Sequence, residues 1–331
     1  MGFARALGIT LACMAALATG GCGGSSRIGE DLPRKDARLM LDAPAGAVHA
    51  GIALAAERGF DRGEGVRLRL RRPGRRGALT ALRRGRVEAV VVPIADLMAI
   101  RGRGVDAVGV MALVQRPVHS VVTAPRVGSG RDLAGRTVAV GDDRAALGVL
   151  RSVGEDAGGE LEAVEVALGR DPVEAVASGR AAAAVVDRFD EAVALRRRQP
   201  GVRELRPEAH GVPPYPGLVV VVRRRTLDED ASVVRALIRA LQRGYREAQI
   251  DPESAATALA ALGTRTERAL LLAQLDKVSP NWTVGVDAYG SLRPEVLRDW
   301  ARWALRVGVL DERPRVDRAF QTGLVGRTSA P

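Results

Sequence analysis

Between residues 38 and 60 the hydrophobic pattern changes period twice. Leu39, Met40 and Leu41 form a short continuous apolar run, the pattern of a strand covered on both faces. Residues 42–48 carry Pro44 and Gly46 and predict a loop. Residues 49–58 then set Ile52, Ala53, Ala55 and Ala56 in a helical stripe, and Gly59 stands where a left-handed cap would stop it. This alternation continues down the chain. Strands are predicted over 66–70, 87–93, 105–113, 119–123, 137–140, 162–168, 181–187 and 217–223. Helices are predicted over 78–84, 94–101, 145–153 and 172–178. From Asp228 the pattern becomes helical only: Val234, Leu237, Ile238, Leu241 and Tyr245 mark one face of 233–249. Further helices follow over 252–262, 265–274 and 293–307, the last with Trp300 and Trp303 on its core face. Interleaved strands and helices predict an α/β fold. The stretch 81–92 is echoed by 175–186, each reading helix, glycine, arginine, buried strand, which points to two similar lobes.

Composition narrows the function. The 331 residues suit two domains or one large one. The net charge is +11, and the basic residues are 48 arginines with only Lys35 and Lys277. Aromatic residues are 3% of the chain, so the arginine runs lack the stacking partners of a nucleic-acid groove. Residues 6–19 form an apolar stretch of signal-peptide length, too short to span a bilayer. Gly20-Gly21-Cys22 and the following Gly/Ser run resemble a lipoprotein cleavage site, so Cys22 is expected to open the mature chain and carry lipid. Cys13 falls inside the signal, which leaves no disulfide. The expected location is the outer face of the cell membrane.

In an open α/β sheet ligands bind beyond the carboxyl ends of the strands. Asp42 and His49 bracket such a crevice after the first strand, while the plainer reading has Asp42 ordering the loop and His49 capping the helix. Gly141-Asp142-Asp143-Arg144 repeats the strand–loop–helix arrangement in the second half. The chain contains no P-loop, dinucleotide fingerprint, nucleophile elbow or H-E-x-x-H motif. Its three histidines have no metal-ligand spacing. A binder without catalysis, metal or cofactor is the simpler expectation.

Leu41-Asp42, His49-Ala50-Gly51-Ile52, residues 56–60, 109–117, 132–136 and 211–219, and Arg243-Gly244-Tyr245 together resemble the NMT1/THI5-like solute-binding lipoproteins of ABC importers. The likeness runs from about Arg38 to Phe320. It implies a type II periplasmic-binding architecture: two α/β lobes, a cleft between them, and chain crossings near 119–125 and 216–223. The organisation implied is a signal peptide over 1–21, a tether over 22–37, lobe 1 over 38–122 and lobe 2 over 123–216. Residues 217–331 would return to lobe 1 with C-terminal helices. The expected partners are a small-molecule ligand, permease subunits and, through the lipid, the membrane, with the protein a monomer. The cleft residues expected are Asp42, His49, Asp96, Gln115, Asp142, Phe189 and Tyr215. Asp42, Gln115 and Asp142 would hydrogen-bond the ligand, and Phe189 and Tyr215 would supply ring faces. The first loop here lacks the aromatic ring and the asparagine usual in the family. The resemblance implies a thiamine-pyrimidine precursor or similar nutrient. Its alternatives are a pyrimidine-synthase-like enzyme using His49, or the same fold binding riboflavin, a sulfonate or nitrate.

Overall fold

Among the described residues, ten strands form two five-stranded sheets of the same design. The computed structural model describes residues 35–72, 77–158, 163–165 and 171–326, so the signal stretch, Cys22 and nearly all of the tether lie outside it. The strands are β1 (Lys35–Met40), β2 (Val66–Arg71), β3 (Ala89–Pro93), β4 (Ala107–Val114), β5 (His119–Thr123), β6 (Val138–Val140), β7 (Ala163–Glu165), β8 (Ala183–Asp187), β9 (Arg203–Leu205) and β10 (Leu218–Arg223). The first sheet runs β2-β1-β3-β10-β4 and the second β7-β6-β8-β5-β9. In each, the first three strands are parallel and the fourth is antiparallel to both neighbours. The echoed segments supply β3 and β8, which hold the same central place. Gly85 and Gly179, ahead of them, both take left-handed backbone.

The fourth strand of each sheet comes from outside its own run of chain. β5 follows β4 but joins the second sheet, and β10 follows β9 but joins the first. The chain therefore crosses between sheets at 115–118 and at 211–217. Both crossings lie just before the segments the resemblance implied, because His119 and Leu218 are already paired in their new sheets.

Side chains of β3 and β10 alternate between two cores, as period-2 geometry requires. Val91, Val220 and Val222 face one core, closed by the helices Ala50–Glu57, Ala231–Ile250, Pro252–Ala261 and Arg268–Val278. Val90, Val92, Val219 and Val221 face another. That second core continues without a break into Val138, Val140, Ala183 and Val185 of the second sheet. The helix Pro294–Arg306 fills the space between, with Trp300 and Trp303 buried. Trp303 Nε1 donates to Ser152 Oγ at 2.9 Å, on the second-lobe helix Arg144–Ala157. Arg144 and Arg151 of that helix donate to the carbonyls of Gly308 and Val307. The C-terminal helices thus serve both lobes, not the first alone. β9 carries no apolar run (its sequence is Arg203-Glu204-Leu205), so only its pairing with β5 reveals it.

Candidate functional site

Four of the six parallel strands lead into or end in aspartates. β1 leads into Asp42, β3 into Asp96 in the first turn of the helix Ile94–Gly102, β6 into Asp142-Asp143, and β8 closes on Asp187. Asp96 reports how these ends relate. Its carboxyl is pushed up to about 6, first by burial and then by the charges of Asp143 and Asp42. Carboxylates from both sheets therefore share one electrostatic neighbourhood. Asp187 is pushed up to about 7, mainly by burial, although its Oδ1 accepts from the Phe189 and Asp190 backbone N–H groups at 2.7 and 2.9 Å.

Asp143, rather than Asp142, carries the local contacts. Its Oδ1 accepts from Ala145 N at 2.6 Å and caps the helix Arg144–Ala157. Its Oδ2 lies 3.4 Å from Nε2 of His119, which opens β5. Burial pushes the His119 imidazole down against the opposing pull of Asp143. Its Nδ1 is enclosed and has no partner among the described residues. Asp142 is exposed.

A cavity of about 800 Å³ opens at this junction. Asp96 and Arg103 bound the first-lobe wall, the turn 142–144 forms the second-lobe wall, and residues 309–315 close it from the C-terminal side. Arg144 pins that last loop through Asp311, with Nη2 2.7 Å from Oδ1 and Nη1 2.9 Å from Oδ2.

Of the seven expected cleft residues, Asp96 and Asp142 line this cavity. Asp42 is not among its lining residues, though its charge acts on Asp96. His49 is occupied: Gly46 N–H donates to Nδ1 at 3.2 Å, which leaves Nε2–H to donate to Asp42 Oδ1 at 2.8 Å. The pair staples the loop 42–49, and only Asp42 keeps an accepting oxygen outside it. Gln115 Nε2 donates to Ser291 O at 3.0 Å. The ring faces expected of Phe189 and Tyr215 are used elsewhere. Phe189 has no exposed surface and packs into the core beneath the first sheet. Tyr215 stacks on Trp303 at 5.5 Å between centroids and leans on Trp300 at 6.1 Å. Stacking with the C-terminal tryptophans could not be seen in the sequence, because 85 residues separate Tyr215 from Trp300.

A second aromatic group lies behind the first loop. Tyr245 stacks on Tyr289 at 4.3 Å and meets the edge of Trp282 at 5.0 Å. Its hydroxyl donates to Val48 O at 2.6 Å, and the Tyr289 hydroxyl donates to Leu113 O at 3.0 Å. These rings support the loop from within the core. The sequence signalled Tyr245 as a helix-face residue and as part of the motif Arg243-Gly244-Tyr245, but not as a support of the first loop.

Residues 47–255 match the family described as NMT1/THI5 like. The chain is 27% identical over 237 residues to the formylaminopyrimidine-binding protein of Halalkalibacterium halodurans, covering 70% of this chain and 71% of that protein. Among solved structures it is similar to the periplasmic aliphatic sulphonate binding protein SsuA of Escherichia coli, with TM-score 0.70, 14% identity and coverage of 86% and 97%. A desulfurization enzyme, DSZB, shares the fold at TM-score 0.58 and 14% identity, with coverage of 88% and 97%.

Proposed function

The chain belongs to the NMT1/THI5-like family, and on that premise we propose that it is the solute receptor of an ABC importer for an amine-bearing heterocycle of the aminopyrimidine kind. One observation carries the reading. The charges of Asp42 from the first lobe and Asp143 from the second both act on Asp96 at the lobe junction. Carboxylates accept hydrogen bonds and repel anions. A ring bearing amino groups offers the N–H donors they need, and a bare sulfonate or nitrate does not. Mutual repulsion across the junction also disfavours lobe closure until a donor-rich ligand bridges it. That gives the ligand the differential affinity a closing receptor requires. Export and a lipid anchor at Cys22 complete the reading, supported by the apolar stretch 6–19 and Gly20-Gly21-Cys22. The mass of the mature N-terminal peptide checks that part.

The receptor works without chemistry on its cargo. The imidazole an enzyme would use, His49, is 1% exposed and has both ring nitrogens committed within its own loop. Calorimetric titration with 4-amino-5-hydroxymethyl-2-methylpyrimidine, riboflavin and a simple alkanesulfonate tests the reading. The pyrimidine should bind. Asp143→Asn should weaken it about tenfold or more, the loss of one charge-assisted hydrogen bond. Binding of the sulfonate with no binding of the pyrimidine would sink it.

A further inference from the structure

The same cavity is lined by five arginines and five carboxylates, and three of the arginines are in no ion pair with a described residue, although the charge of Arg103 acts on Asp96. Arg101 is engaged with Asp106 and the Ala107 carbonyl, and Arg144 with Asp311 and the Gly308 carbonyl. Arg103, Arg313 and Arg315 also line it, and these three make no ion pair with any described residue. The charges are sorted along the first-lobe wall. Asp96 sits in the first turn of the helix Ile94–Gly102 and Arg103 caps its far end. Seven residues at 1.5 Å each put them about 10 Å apart along the axis. Arg313 and Arg315 belong to the loop that Arg144 pins by Asp311. That loop is tied to the second lobe by Arg144 and to the first by its continuation, where Phe320 pairs with Gly109 of β4.

Resting on the aminopyrimidine reading, we propose that the solute carries an anionic group, a phosphate or a group of like charge and shape, which Arg103, Arg313 and Arg315 bind while its ring amines meet Asp96 and Asp143. Guanidinium groups match the geometry of tetrahedral oxyanions and hold their charge at any physiological pH. The cavity, about 800 Å³, is roomier than a bare pyrimidine ring needs. A ligand charged at both ends satisfies both sets of groups at once. It also bridges the lobes through Asp96 and Asp143.

The test compares 4-amino-5-hydroxymethyl-2-methylpyrimidine with its phosphate monoester by calorimetric titration, in the full mature chain and in an Arg313→Ala/Arg315→Ala variant. Both arginines are exposed, and thermal melts confirm that the variant folds. The phosphate ester should bind wild type at least tenfold tighter than the alcohol, and its affinity should fall more steeply with salt. In the variant the preference should shrink to twofold or less. An alcohol that binds as tightly as its ester would overturn this proposal and leave the aminopyrimidine reading standing. A preference that survives in the variant would overturn the assignment to these arginines. If neither compound binds, both readings fall together.

Discussion

Asp96 is the residue whose charge state the fold most visibly sets at the site. Its folded value of about 6 lies above the ordinary 3.8, so between those values the folded chain keeps a proton that the unfolded chain has released. Stability therefore declines as pH rises from about 4 to about 6, and the ionised carboxylate is the costly form at neutral pH. Asp96→Asn should raise stability at pH 7.5 by about 1–2 kcal/mol, the full linkage figure reduced for partial exposure, and leave it unchanged near pH 4. Thermal melts at the two pH values check this. Ligand binding should respond in the opposite sense. If the ionised carboxylate accepts a ligand N–H, affinity rises with pH through about 6, and the Asn variant loses that dependence. Equal affinity at pH 5 and 7.5 in wild type would remove Asp96 from the ligand's contacts.

The helices Ala50–Glu57 and Ala231–Ile250 decide where the first loop sits. They cross at Gly51 and Gly244, nearly backbone to backbone. A Cβ on Gly244 would fall 2.0 Å from the Gly51 carbonyl oxygen and 2.9 Å from the Ala55 Cβ. The next residue, Tyr245, holds the loop through Val48. Gly244→Ala should cost about 2–3 kcal/mol, because two helix backbones must separate and no flexible side chain can yield instead. It should also weaken ligand binding, as the Asp42–His49 loop loses its support. Melting and titration together read both effects, and an unchanged melting temperature would contradict the crossing. The apolar faces of these helices were legible in the sequence, but the partner of each was not.

Across the whole molecule, two links tie the helix Arg268–Val278 to the second lobe. Gln274 Nε2 donates to Asp190 Oδ1 at 2.5 Å, and Lys277 Nζ meets Glu204 Oε2 at 2.7 Å. That helix sits on the first core through Leu271, Leu275 and Val278. Removing the links in Gln274→Ala/Lys277→Ala should shift the population away from this arrangement of the lobes. Small-angle scattering should show a larger radius without ligand, and affinity should fall several-fold because less of the protein is binding-competent. Identical radii and affinities would show that the links carry no closing energy.

Local pattern was enough to determine most element types, though not the helices Glu191–Arg198 and Arg224–Glu229, together with the doubled α/β plan and the strand ends at which aspartates gather. Those features follow from hydrophobic period, from glycine at left-handed positions and from the aspartates that follow buried strands, all properties of neighbouring residues. The short charged strand β9 escaped because three residues without an apolar run carry no period. What only the tertiary structure decided rests on contacts between distant segments. His49 and Asp42 satisfy each other, so the imidazole is withdrawn from the site. Phe189 and Tyr215 fill cores, since rings are the largest apolar surfaces available in a chain with few of them. The C-terminal helix joins the cores of both lobes through Trp300 and Trp303, a role that depends on the shape of the space between two sheets and that no stretch of sequence encodes alone.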